Sequence, residues 1–216
     1  MKKFLLLFLL AWAVEAQEPD EVTIEHKNYT TTFSRRHRYP VHVQWWVTRA
    51  KLECKDAAER KDRFLPDPKL KKDTDIDDDY KASGFDRGHL SPAADNKCVP
   101  GAMEESFYFT NMAPQYPGLN RGQWKNLEEW TRYLAKEHDS VRVEAGCVGV
   151  RQQMKRVDVP THCWKTIYVK KLNETKHYVF PNHPERSKSF EMHEVTPDSI
   201  KKLRRKPWKW DTLFSP

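Results

Sequence analysis

Apolar residues recur at every second position over several short stretches of this chain and at every third or fourth position over one long stretch. Glu21–Ser34 carries Val22, Ile24, Tyr29, Phe33 and several threonines, and reads as one or two short strands. Val41–Thr48 (VHVQWWVT) is a strand by its β-branched and aromatic content, and its adjacent Trp45 and Trp46 must face opposite ways. Ser106–Thr110 (SFYFT), Val141–Val150, Trp164–Leu172 and Lys176–Phe180 predict further strands, the last two joined by a turn at Asn173–Thr175. The helical period is clearest over Asn120–Lys136, where Trp124, Leu127, Thr131 and Leu134 share a face that Trp130 widens. Asn120 followed by Gln123 has the spacing of a capping box at its start. Pro197–Leu203 reads as a short terminal helix. Several strands with one strong helix, and no regular βαβ alternation, predict a mixed α/β (α+β) domain.

The connections are less regular. Lys51–Lys81 is highly charged and punctuated by prolines, and predicts a long link with little regular structure. Its aspartates 73, 75, 77, 78 and 79 lack the central glycine and twelfth-position glutamate of an EF-hand loop, so they read as an acidic surface turn. Asn111–Gly118 holds two prolines and predicts an irregular segment. The polar stretch before Trp164, with Pro160 and Cys163, predicts an exposed excursion.

The start of the chain changes the expected compartment. Lys2 and Lys3 precede an apolar run from Phe4 to Val14, and Val14-Glu15-Ala16 offers small residues before Gln17. That pattern is a secretory signal peptide cleaved after Ala16, leaving residues 17–216 as one domain that is secreted or periplasmic and not stably bound to membrane. The run of about 11 residues is too short to span a bilayer, which takes about 20. Removing two lysines and one glutamate takes the formal charge from +7 to +6. The modest excess suits a polyanionic partner and equally suits solubility. Lys201–Lys209, with Trp208 and Trp210, is basic and aromatic, and reads either as a nucleic-acid contact or as a solvated tail. Cys54, Cys98, Cys147 and Cys163 show no zinc-knuckle spacing, and an even count in an exported chain suggests two disulfides. Cys147–Cys163 would staple neighbouring strands and Cys54–Cys98 would bracket the central motif; this is one of three pairings.

That motif is Asp86-Arg87-Gly88-His89. A histidine accepts a proton from water near neutral pH. A phosphodiester repels hydroxide, so attack on it also needs cations at the phosphate, from arginine or from a metal. His89 and Arg87 offer a base and a clamp, although four residues alone are equally an Asp–Arg pair beside a structural histidine.

Three stretches carry more. YKASGFDRGHLSPAADN at 80–96, SFYFTNMAPQYPGLNRGQWKNLEE at 106–129 and RFLPDPKL at 63–70, in this order and spacing, resemble the DNA/RNA non-specific endonuclease family. The resemblance implies a central, largely antiparallel sheet with flanking helices and a ββα-metal active-site core. It implies His89 as general base, Asn120 as the sole direct protein ligand of a hydrated Mg²⁺ ion, and Glu128 as the carboxylate orienting metal-bound water. Mn²⁺ would satisfy similar oxygen coordination. Asn120 and Glu128 are eight helical residues apart, about 12 Å, so a water-mediated role suits Glu128. Arg63 and Arg87 are the implied phosphate contacts, Asn111 supports the site by hydrogen bonding to the histidine or nearby backbone, and Asp86 orients rather than ligates. The implied activity is metal-dependent, sequence-nonspecific hydrolysis of DNA and RNA to 5′-phosphate and 3′-hydroxyl ends. Homodimers are compatible with the family. The competing readings are a secreted nucleic-acid-binding protein without turnover and a phosphodiesterase acting on small nucleotide esters.

Overall fold

The computed structural model describes residues 19–185 and 189–205. The predicted signal peptide and the Trp208–Trp210 end of the basic cluster lie outside the described residues. Among the described residues there are eleven strands: β1 (Glu21–Glu25), β2 (Tyr29–Ser34), β3 (Tyr39–Thr48), β4 (Asp86–His89), β5 (Met112–Gln115), β6 (Ser140–Val148), β7 (Gln152–Met154), β8 (Val157–Val159), β9 (His162–Val169), β10 (Glu174–Pro181) and β11 (Glu194–Val195). Seven form one antiparallel sheet in the order β1-β2-β3-β6-β9-β10-β11, while β4-β5 and β7-β8 are separate two-stranded pairs.

Alternation along the strands sets the two faces of the large sheet. Val43, Trp45 and Val47 of β3, Val141, Val143 and Ala145 of β6, and Ile167 and Val169 of β9 face one core. The main helix, Lys125–His138, adds Leu127 and Leu134 to the same core, with Trp124 just before it. The adjacent tryptophans do part: Trp45 is 3% exposed and Trp46 39%. Each buried side chain of this size contributes about 1.5–3 kcal/mol by leaving water, which favours this register over one slipped by a residue.

Cys147 and Cys163 stand opposite one another across β6 and β9 and are bonded. Cys54 and Cys98 are also bonded, tying the chain after β3 to the turn following the central motif. Among the described residues no helix is long and apolar enough to cross a membrane.

Four expectations change. Ser106–Thr110 is not a strand. Phe107 and Phe109 are buried there by ring packing, and the backbone turns through a 3-10 segment, Phe109–Asn111, with one bridge from Tyr108 to Leu65. The strand lies just downstream as β5, inside the segment read as irregular. Pro114 is tolerated there because the two-stranded pair has only edges. The stretch before β9 is not simply exposed, since Met154, Val157 and Val159 of β7 and β8 bury against Ile76, Tyr80 and Phe109. The Lys51–Lys81 link contains helical turns at Pro68–Leu70, Lys71–Thr74 and Asp77–Tyr80. Its aspartates pair individually, Asp73 with Arg35, Asp77 with Arg87, Asp78 with Lys81 and Asp79 with Arg156, rather than converging on a cation.

Candidate active site

The DRGH residues form β4, paired with β5 so that Asp86 faces Gln115, Arg87 faces Pro114, Gly88 faces Ala113 and His89 faces Met112. Strand alternation sends Asp86 to one side and Arg87 with His89 to the other. Gly88 is required by packing: a Cβ there would stand 2.3 Å from the side-chain Oε1 of the fully buried Gln115.

On the first side, Asp86 ties the strand to the approach of the main helix. Its Oδ2 accepts from Asn120 Nδ2 at 2.9 Å and from Arg121 Nε at 2.8 Å, and its Oδ1 accepts from Arg121 Nη2 at 2.6 Å. Ionised carboxylates only accept, so the Asn120 amide must present its NH₂ to Asp86. That fixes the orientation of Asn120 and leaves its Oδ1 as the oxygen available to a cation. Asn120 does not cap a helix. The Leu119–Trp124 turn is a π-type segment whose N-cap position is Gly118, and Gly122 leaves helical geometry at φ −109, ψ −112. The capping-box expectation fails because the helical turn begins earlier and breaks at Gly122 before the regular helix starts.

On the other side, His89 packs edge-on against Phe107, with ring centroids 4.9 Å apart, and tilts against Phe64 at 5.8 Å. Its Nε2 is buried and has no hydrogen-bond partner among the described residues. Burial first, and then the charge of Arg60, lowers its pKa to about 3, against a smaller upward pull from Asp62. The imidazole is therefore neutral, the form that can take a proton. The His89 carbonyl accepts from Trp124 Nε1 at 3.0 Å, so the far end of the strand is also bonded to the helix segment.

Arg87 lies over Phe64 and Tyr80, its Cζ 5.2 and 5.1 Å from their ring centres. Its Nε donates to Asp77 Oδ1 at 2.9 Å, and its Nη2 lies 2.6 Å from the same oxygen. Part of its charge is thus already balanced. Arg63 is exposed at the start of the Phe64 segment, while the nearby Asp67 is engaged instead by His26 and Thr110. Asn111 is fully buried: its side chain accepts from Ser91 N and donates to the carbonyls of Ser91 and Ser106. These bonds fix the loop leaving β4, and they go to backbone rather than to the histidine.

Glu128 sits on the main helix with its side chain 14% exposed and its Oε1 3.9 Å from Lys165 Nζ. Burial is the leading cause that raises its pKa to about 7, with Lys165 opposing. Lys165, on β9, is 1% exposed, and burial lowers its pKa to about 8. It was not singled out from sequence, yet parity gives it away. Cys163, Ile167 and Val169 face the core at alternate positions, and Lys165 falls on the same face. Asp95 and Arg132 belong to the same buried charge cluster. Asp95 is buried and accepts from Trp45 Nε1 at 2.9 Å and Arg132 Nη1 at 3.2 Å.

Among the described residues no group of three or more His, Cys, Asp or Glu side chains could hold a metal ion. A hydrated Mg²⁺ ion fits the residues present nonetheless. It retains waters readily and accepts one or two protein oxygens, and the Asp86 clamp leaves the Asn120 oxygen free for it.

Comparison with known proteins agrees with this geometry. The chain is 33% identical over 179 residues to Nuclease 1, mitochondrial, of Schizosaccharomyces pombe, a match covering 72% of this chain and 56% of that protein. It is 39% identical over 123 residues to human Endonuclease G, mitochondrial, covering 49% of this chain and 41% of that one. The matches thus span about half the length of these relatives. A crystal structure of the EndoG/EndoGI complex matches with a TM-score of 0.72 at 28% identity, covering 84% of this chain and 83% of that one. The family model described as DNA/RNA non-specific endonuclease matches residues 13–211, and with the hairpin-and-helix site in place the chain belongs to that family.

Proposed function

We propose that this protein is an exported, metal-dependent, sequence-nonspecific endonuclease that hydrolyses DNA and RNA to 5′-phosphate and 3′-hydroxyl ends. One observation carries the reading. Asp86 and Trp124 pin the DRGH strand to the helix segment at both ends, so that a neutral, unpartnered His89 and an oriented Asn120 belong to one rigid unit.

In this reading His89 takes a proton from the attacking water through its unpartnered Nε2. Its depressed pKa keeps it in the accepting form at neutral pH. Asn120 would hold Mg²⁺, or Mn²⁺ in its place, which supplies electrophilic stabilisation of the phosphate and leaving oxygen. Glu128 orients water in its carboxylate form, which its pKa of about 7 makes the form gained as pH rises through neutrality. Arg63, being exposed, is the better placed of the two arginines to meet a phosphate. Arg87, held by Asp77, chiefly braces Phe64 behind the histidine. Contacts confined to phosphate predict little sequence preference and strong salt dependence. The Lys2–Ala16 pattern and two disulfides support an oxidising, exported location.

The test incubates the mature chain with supercoiled DNA and with structured RNA, with and without magnesium, beside His89→Ala. Magnesium-dependent cleavage that the variant lacks is expected. Binding without cleavage would favour the turnover-free alternative, and cleavage of small nucleotide esters alone would favour the diesterase. Export predicts a mature N-terminus at Gln17 by intact mass.

A further inference from the structure

The charge most completely withdrawn from water beside this site is Lys165, and the mechanism above does not use it. It stands on β9, paired with Ala145 on one side and Tyr178 on the other, in the middle of the large sheet. A lysine on that inward face is costly unless its charge is compensated. Its compensation comes from the site itself. The ammonium lies 4.1 Å from the ring centre of Trp124 and 3.9 Å from Glu128 Oε1, with Trp45 farther off at 5.8 Å. Trp124 is the residue whose indole N–H holds the His89 carbonyl. One cation therefore touches the carboxylate on the helix and, through one ring, the strand end carrying the base.

We propose that Lys165 is a positioning residue of the nuclease site, holding Glu128 as an oriented carboxylate and steadying the Trp124–His89 bond. The inference rests on the nuclease reading and deepens it. Among the described residues four charged groups act on Glu128: Lys165 from β9, Asp95 from the turn Ala93–Asn96, Arg132 from the main helix, and Arg60 from the loop before Arg63. Asp95 opposes ionisation. Arg132 is shared with Asp95, to which it donates at 3.2 Å. Lys165 is the strongest of the influences that favour the carboxylate, and even with it in place Glu128 rises to about 7. A neutral residue of similar length would leave burial less opposed.

The experiment measures magnesium-dependent plasmid cleavage by the full chain from pH 5 to 10 for wild type, Lys165→Met and Lys165→Arg. In Lys165→Met the acid limb of kcat/KM should move up by about 1–3 pH units, the size of effect an opposite charge at this range exerts. Activity at pH 7 would then fall about fivefold for a one-unit move and several hundredfold for three, and recover towards wild type only as pH rises past the new limb, with the change in kcat rather than KM. Lys165→Arg should keep the limb close to wild type. A loss equal at every pH, or a limb that does not move, overturns the proposal, since a packing role lowers the rate without displacing its profile. If Lys165→Met fails to fold, Glu128→Gln provides the second measurement. Lys165, followed by NMR of its Cε, should titrate about one unit lower once its anionic partner is gone, and an unchanged midpoint overturns the coupling. An inactive wild type would sink the nuclease reading, while the NMR measurement would still decide the pairing.

Discussion

Asn120→Ala separates an amide that holds a cation from one that caps a helix. The structure makes the two outcomes numerically distinct. The Asn120 backbone N–H is bonded to Tyr116 O at 3.0 Å and is untouched by the substitution. What is lost is one hydrogen bond, at 2.9 Å, to the Asp86 carboxylate. Hydrogen bonds to charged groups contribute about 1.5–3 kcal/mol. Asn120 is partly exposed, and Asp86 keeps both bonds from Arg121, so no carboxylate is left buried and unpaired. The lower end applies, and alanine recovers about 0.5 kcal/mol in helix propensity. The expected net cost is therefore about 1 kcal/mol. Activity should respond far more. Electrophilic stabilisation worth about 3 kcal/mol corresponds to roughly 100-fold in rate. Urea unfolding followed by circular dichroism gives the first number, and initial rates of plasmid cleavage in saturating magnesium give the second. Activity within about threefold of wild type would refute the assignment of Asn120 to the metal. Destabilisation beyond about 3 kcal/mol would refute the account of its bonding, because no contact seen here carries that much.

Other outcomes follow from the same geometry. His89→Ala should lower cleavage by at least about 100-fold with the circular dichroism spectrum unchanged. In the wild type, NMR of the His89 ring should give a midpoint well below the ordinary histidine value, in keeping with about 3. Because its folded pKa is depressed, the unfolded chain binds the extra proton first. This group's contribution to stability is present above pH ~6.5 and declines as pH falls towards the folded value, which acid titration of the unfolding midpoint can check. Gly88→Ala should cost about 1–3 kcal/mol in thermal or urea unfolding through overlap with Gln115, and adding Gln115→Ala should recover most of it. No recovery would mean that backbone, not that side chain, sets the limit. Removing Cys54–Cys98, which spans 44 residues, should cost about 4 kcal/mol, and removing Cys147–Cys163, which spans 16, about 3 kcal/mol by loop entropy. The reverse order in denaturant titrations would contradict the chain-entropy account.

The strands of the large sheet and the main helix are written in the alternation of the chain, because each buries one face and a face repeats with the period of its element. The order of His89, Asn120 and Glu128 along the sequence was enough to indicate the family. Where several partners compete for one group, local pattern loses its hold. Ser106–Thr110 alternates like a strand, yet its two phenylalanines bury through edge-on and tilted ring contacts with Phe64 and Tyr80, and the ladder forms one segment later at Met112–Gln115. Asn120 has the spacing of a cap, yet a carboxylate 34 residues upstream claims its amide. Arg87 reads as a free clamp, but a salt bridge to Asp77 already engages it. Parity puts Lys165 on the inward face of its strand, but only the sheet brings it under Trp124 and beside Glu128. Sequence periodicity determined which faces are buried and which residue types could do chemistry. Only the tertiary structure decided which charges meet, since those encounters join residues 10 or more positions apart and depend on desolvation that no local window contains.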